Sequence, residues 1–377
     1  MKNQRHDNTY RQPFLSSGLS RLRTVLIALS LGFTLGSSFA QAQIFAPAPP
    51  AGFDPLGATN EERAYYGYPP APDKSHTAEY AAWARMVRAD KRRITDLTVH
   101  TTNLRHNAGM GVQTSNGTAT STSWSGYAVA AAQGTYQGTS DADSVVTGQW
   151  MVPAAGAENC SNGPLYASQW IGFDGLGSLY PGGSGSTDVL QAGTEIGVLQ
   201  GAGGACLTPF YQAWYEWYTP GCTIDTANEP CSAYTLSMTV NPGDLMTVEV
   251  WYTPAAPNGH VSIVNSTTGQ SANLSFSQPA GYPYTQYRGD SAEWVVEAPS
   301  IDGVVQHLAN YVSVPMTDAF GLGNTGYINP SSGPSGSTIL PIYMICPPGS
   351  PASLCTSNET ISLAQLQGTL DLWFRWH

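Results

Sequence analysis

The chain beyond Trp124 predicts an all-β domain, a sandwich or a barrel, and two observations predict it. Short runs rich in Val, Thr, Tyr and Trp recur: SVVTGQWMVP, QWIGFDG, FYQAWYEWYT, LMTVEVWYT, HVSIVNSTTG and AEWVVEA. Clusters of Gly, Pro, Ser and Asn separate them, as turns separate strands. Roughly 255 residues is large for one sandwich but feasible. No tandem repeat is visible, and residues 361–372 suit a peripheral helix or a strand equally.

The elements ahead of that domain differ in kind. Residues 1–23 are polar and basic, 24–40 form an apolar run, and small residues follow at 40–42. That order is the layout of a secretory signal peptide, so export is expected. No later run is apolar for long enough to span a bilayer, so no membrane association is expected. Residues 43–74, rich in Pro, Ala and Gly, read as extended and poorly ordered. Residues 77–97 read as a helix, with Tyr80, Trp83, Met86 and Val87 at helical spacing and a basic opposite face. Residues 107–122, rich in Gly, Ser, Thr and Asn, read as a linker. A basic helix on a tether ahead of an acidic domain is the anatomy of a propeptide.

Charge is divided sharply along the chain. Of the 15 Lys and Arg, 13 precede residue 121; only Arg288 and Arg375 come later. The first 120 residues carry a formal +5 and the rest −16. Such a surface repels nucleic acid and anionic membranes, and approaches neutrality only as carboxylates protonate near pH ~4. A domain with almost no bases also escapes the cation repulsion that acid imposes. The six cysteines all lie beyond the apolar run, an even number that suits disulfides in an exported chain. Six cysteines allow about 15 pairings. Cys222/Cys231 and Cys346/Cys355 look like short loop staples, which leaves Cys160 with Cys206.

Familiar catalytic signatures are missing. The chain has no H-E-x-x-H, no G-x-S-x-G, no Asp-Thr-Gly or Asp-Ser-Gly, and no lysine after Lys91 to serve a Ser–Lys pair. No Cys-x-x-Cys occurs, so no metal site is expected. Arg288-Gly289-Asp290 is a three-letter match that chance supplies. What remains are acids and amides on aromatic strands. Because a strand alternates its faces, Gln191, Gly193 and Glu195 share a face. So do Gln212, Trp214, Glu216 and Tyr218, and so do Glu293, Val295 and Glu297. Acids mixed with bulky aromatics suit a concave binding face better than a plain solvated one.

Seven runs then occur in order with compatible spacing: SWSGY at 123–127, SVVTGQWMVP at 144–153, QWIGFDG at 169–175, VLQAGTE at 189–195, AWYEWYTP at 213–220, NSTTGQS at 265–271 and AEWVVEAP at 292–299. On these the chain resembles the glutamic peptidases (eqolisins, peptidase family G1). The resemblance implies an antiparallel β-sandwich of two sheets, of the concanavalin A-like or jelly-roll type, preceded by a partly helical propeptide. It fits the domains read from composition: a signal peptide over 1–42, a propeptide and linker over 43–120, and a peptidase domain over 121–377 whose portion after about 320 diverges. It implies a catalytic dyad of Gln191 and Glu297, with Trp170, Asp174, Glu195, Trp214, Glu216 and Glu293 as cleft or supporting residues. No metal or organic cofactor is implied. The partners implied are protein substrates and the chain's own propeptide as inhibitor, with the enzyme a monomer.

The sequence departs from the family pattern at Ser123, Ala192 and Ala298, where asparagine, threonine and an acid are common, and none of these removes the dyad. An acid at 298 would raise the pKa of Glu297, so Ala298 bears on the pH optimum. The basic helix of 77–97 is expected to dock on the acidic cleft near neutral pH and to let go as the carboxylates protonate, with a cut then falling within 107–122. Two other readings suit the same sandwich: a carbohydrate-binding or glycan-hydrolysing protein, and an inactive binding homologue. Glu293 and Glu297 lie about 13 Å apart along one extended strand, too far for the carboxyl pair of a retaining glycosidase.

Overall fold

The computed structural model describes residues 46–89, 97–113, 117–139, 143–156, 159–222, 225–279 and 287–377. The expected signal peptide lies outside the described residues. Two helices come first, α1 (Asn60–Tyr65) and α2 (Thr77–Ala89). Four short strands follow: β1 (Val99–Thr101), β2 (Leu104–Arg105), β3 (Gly111–Gln113) and β4 (Ala119–Ser121). The main strands are β5 (Trp124–Ala130), β6 (Ser144–Met151), β7 (Leu165–Phe173), β8 (Val189–Val198), β9 (Phe210–Tyr218), β10 (Tyr234–Leu236), β11 (Leu245–Tyr252), β12 (Gly259–Asn265), β13 (Gln270–Phe276) and β14 (Ser291–Glu297). After three two-residue strands, β15 (Ser300–Ile301), β16 (Val304–Val305) and β17 (His307–Leu308), come β18 (Ser313–Gly323), β19 (Gly326–Ile328), β20 (Thr338–Ile345), β21 (Thr360–Leu366) and β22 (Leu372–Trp376).

These strands form the sandwich that the sequence predicts. The front sheet runs β20-β5-β14-β7-β8-β9-β10-β1, every neighbour antiparallel. The back sheet runs β22-β18-β6-β11-β12-β13, also antiparallel. β21 pairs with both β20 and β22, so hydrogen bonding continues round one edge from sheet to sheet. Residues after 320 are thus woven into both sheets, and over 361–372 the chain is strand to Leu366 and again from Leu372, with no helix between.

Alternation decides what each strand buries. Ala292, Trp294 and Val296 of β14 point inward with Ile171, Leu190, Tyr215 and Trp217, against Trp150, Val248, Ile263 and Leu274 of the back sheet. Fully burying each such side chain stabilises the fold by roughly 1.5–3 kcal/mol or more. The indoles also find partners: Trp294 Nε1 donates to Thr147 O at 2.7 Å and Trp150 Nε1 to Thr194 Oγ1 at 2.8 Å. Three disulfides, Cys160–Cys206, Cys222–Cys231 and Cys346–Cys355, match the pairing read from spacing.

The N-terminal segment departs from expectation in two ways. Residues 46–74 are not simply extended: Thr59 and Glu62 form a reciprocal capping box that starts α1. α2 lies on the outer face of the back sheet rather than over an acidic cleft. Its apolar stripe, Trp83, Met86 and Val87, packs with Tyr68 and Phe320, and Arg85 pairs with Asp318 at 2.6 Å. An apolar stripe is satisfied by an apolar partner, here Tyr68 and Phe320. The helix is described as far as Ala89; residues 90–96 lie outside the described residues.

Candidate active site

Strand register sets the site. Across the front sheet, Trp124, Glu297, Ser168, Glu195 and Gln212 stand side by side on β5, β14, β7, β8 and β9. The row two residues along reads Gly126, Val295, Trp170, Gly193, Trp214, and the next Ala128, Glu293, Gly172, Gln191, Glu216. Because each strand steps by two, all three rows face away from the inter-sheet core. Trp124, Trp170, Trp214 and Val295 pack there as a second apolar cluster with Leu176, Leu179 and Val189. Gly193 allows that packing: a Cβ on it would lie 2.1 Å from Gln169 O and 2.7 Å from the Trp170 Cβ.

Glu297 is buried, and one of its carboxylate oxygens accepts from Trp170 Nε1 at 2.7 Å. Trp170 in turn meets Trp124 edge to face at 4.9 Å. Burial pushes the Glu297 carboxyl well above the ordinary glutamate range and the Glu216 charge adds to this, while the Trp170 and Trp124 indoles act the other way. Glu216 is raised well above the same range by burial, opposed by the His106 N–H and by Arg105. Glu195 is raised by burial, opposed by His106 and Ser168.

His106 joins these groups, and it comes from the segment ahead of the sandwich. Its ring stacks on Trp214 with centroids 3.5 Å apart and planes 2° from parallel. Nδ1 lies 2.9 Å from Glu216 Oε2, and Nε2 lies 2.8 Å from Ser168 Oγ and 3.2 Å from Glu195 Oε2. The His106 N–H donates to Glu216 Oε2 at 2.9 Å, and its carbonyl oxygen accepts from Gln191 Nε2 at 2.6 Å. Ser168 donates to Glu195 by a short hydrogen bond. Burial lowers the His106 pKa, opposed by Glu195. Among the described residues, Gln191 Oε1, Glu195 Oε1 and Glu216 Oε1 are buried without a hydrogen-bond partner.

The eight residues singled out from sequence therefore fall into two places. Gln191, Glu195, Glu216, Glu297, Trp170 and Trp214 gather around His106 and the indoles. Asp174 lies apart, holding the turn into β14: it accepts from the N–H groups of Arg288, Gly289 and Asp290 at 2.7, 3.0 and 2.7 Å. Glu293, on the cleft side of β14, links the two: it stands in the row of Gln191 and Glu216 with Gly172 between, and burial raises its pKa well above the ordinary range, with Asp174 and Asp290 adding to the rise. Asp188 completes this second acidic cluster, accepting from Trp217 Nε1 at 3.1 Å and Gln278 Nε2 at 3.0 Å. Burial of Asp290 within it accounts for the Arg-Gly-Asp run as structure rather than as an exposed adhesion tripeptide.

Sequence reasoning missed His106, Ser168 and Asp188. Ser168 was accessible through register alone, and His106 carried no local signal, since it lies just ahead of the 107–122 run that reads as linker.

No curated protein matches the chain. Among solved structures, Scytalido-glutamic peptidase with a peptide-based transition state analog is similar at 18% identity and a TM-score of 0.45, over 68% of this chain and 98% of that one. The same peptidase with a transition state analog inhibitor gives 18% and 0.44 over the same shares. Tailspike protein 2 of an Escherichia coli O157:H7 bacteriophage gives 12% and 0.22, over 58% of this chain and 26% of that one. The model of the Peptidase A4 family matches residues 122–346, more than half of the chain and well past residue 320. The chain belongs to the Peptidase A4 family, the glutamic peptidases or eqolisins.

Proposed function

We propose that this glutamic peptidase is an exported acid endopeptidase, made as a zymogen, that hydrolyses protein substrates with Gln191 and Glu297. The observation that carries the reading is that Gln191 already donates its side-chain N–H to a peptide carbonyl, that of His106, on the sheet face that also bears Glu297. In the reaction, the Glu297 carboxylate takes a proton from water as the water oxygen bonds to the scissile carbonyl carbon. Negative charge develops on the carbonyl oxygen, where the Gln191 N–H meets it. The C–N bond then breaks and Glu297 returns its proton to the leaving amine. An amide suits this task in acid because it keeps its donor without titrating. Trp170 holds the Glu297 carboxylate in place and favours its charged form.

Resistance to pepstatin is expected, since the paired-aspartate motif is missing. Export rests on the apolar N-terminal run. The zymogen reading is supported by the course of the N-terminal segment, which wraps the back sheet through α2 and crosses the cleft at His106. Activity against a denatured protein, measured from about pH 2 to pH 8, tests the proposal. Hydrolysis confined to acid and unaffected by pepstatin is the expected result; a folded, processed and inactive protein would overturn it.

A further inference from the structure

Residues 104–109 lie in the cleft as a bound peptide would. β2 pairs antiparallel with β15, Arg105 opposite Ser300 and Leu104 opposite Ile301. On the other side, Leu104 O accepts from Ala233 N at 3.2 Å. Beyond His106, Asn107 Nδ2 donates to Ser300 Oγ by a short hydrogen bond, and Gly109 N donates to Gly175 O at 2.7 Å. Gly109 passes so close to the cleft floor that a Cβ would lie 2.6 Å from Leu179 Cδ1 and 3.0 Å from Trp124 Cε3. The peptide is thus held on both sides of His106, whose ring fills the slot between Trp214, Glu195, Glu216 and Ser168 and whose carbonyl rests on Gln191.

We infer that the His106–Asn107 bond is the first bond this enzyme cuts, in its own chain, and that the slot around His106 holds the residue on the amino side of that bond. The inference rests on the peptidase reading above and adds the bond and the subsite. In this step water adds its oxygen to the His106 carbonyl carbon and gives one proton to Glu297. The charge on His106 O is held by Gln191 Nε2. The His106–Asn107 C–N bond breaks, and the proton on Glu297 passes to the Asn107 nitrogen. The products are a His106 carboxyl and an Asn107 amine. The new carboxyl group is left where the His106 carbonyl rests, on Gln191.

The test uses the full-length chain, purified at neutral pH and shifted to about pH 4. Intact mass and N-terminal sequence are followed in time, beside an assay on denatured protein. The expected first new terminus is Asn107-Ala108-Gly109, formed at a rate independent of protein concentration. His106→Leu should slow its appearance about tenfold or more, because the ring's hydrogen bonds to the slot are lost. If denatured protein is hydrolysed but the first terminus lies elsewhere, the inference fails and the peptidase reading stands. If neither the chain nor the added protein is cut at any pH, both fail. A His106→Leu chain that yields Asn107 at the unaltered rate removes the slot from the account.

Discussion

Glu297 is placed between opposed influences. Burial and the Glu216 charge favour its neutral form, and two indoles favour the carboxylate that a general base must be. Without the Glu216 charge, one of the influences that raise the Glu297 pKa is gone. Glu216→Gln should therefore move the acid limb of kcat/KM in the processed enzyme to lower pH, which a pH–rate profile reads directly; a shift upward would contradict the assignment. Gln191→Ala should lower kcat about 10²–10³-fold with a smaller change in KM, the signature of a donor that matters most when charge develops. The alternation of strands made the shared face of Gln191 with Glu195, and of Glu293 with Glu297, legible in the sequence, because it is a property of neighbours along the chain. His106 was not legible: its role depends on where residues 99–109 are laid across strands more than 60 positions away, and nothing in the local residues encodes that path.

β14 carries both halves of the molecule's design. Its inward residues fill the inter-sheet core and its outward residues line the cleft, so one seven-residue strand couples stability to the site. Trp294→Ala should cost roughly 3–5 kcal/mol, by lost burial and by the orphaned Thr147 carbonyl, with a fall in Tm on the order of 10 °C. Calorimetry of the Glu297→Gln background, which separates stability from self-cleavage, checks this. The β-runs and the three cysteine pairs were readable because turn residues and short spacings are local. The place of α2 was not. Its basic face suggested the acidic cleft, but its apolar stripe decides the docking, against Phe320 on the back sheet. The joining of β20, β21 and β22 to both sheets was hidden for the same reason, since pairing partners such as β5 lie some 200 residues earlier.

At the scale of the whole molecule, buried carboxyls set the pH dependence of stability. Asp174, Asp188, Asp290, Glu195, Glu216 and Glu293 all have folded pKa values raised above the ordinary range by burial, that of Asp188 to about 6. For such groups the folded state holds protons more tightly than the unfolded chain. Their stabilising contribution is complete below the unfolded pKa, near ~4, and is lost as pH rises through the folded values. Buried His106 and His260 work in the opposite sense, the latter lowered to about 4, but they are outnumbered. The Tm of the uncut Glu297→Gln chain should therefore fall between pH ~4.5 and pH ~7.5. A Tm that rises over that window would show that these carboxyls are not held neutral by the fold. The same distribution agrees with the separation of charge seen in the sequence, since a domain at −16 is least self-repelling in acid.

The proposed reaction turns on Glu297 moving the proton. The most direct measurement is hydrolysis of a denatured protein by the processed enzyme and by processed Glu297→Gln, made by cutting the variant in trans with wild-type enzyme that is then removed. With pepstatin present throughout and pH varied from about 2 to 8, acid-limited activity is expected in the wild type and a loss of at least about 10³-fold in the variant. A folded variant that retains full activity would contradict it.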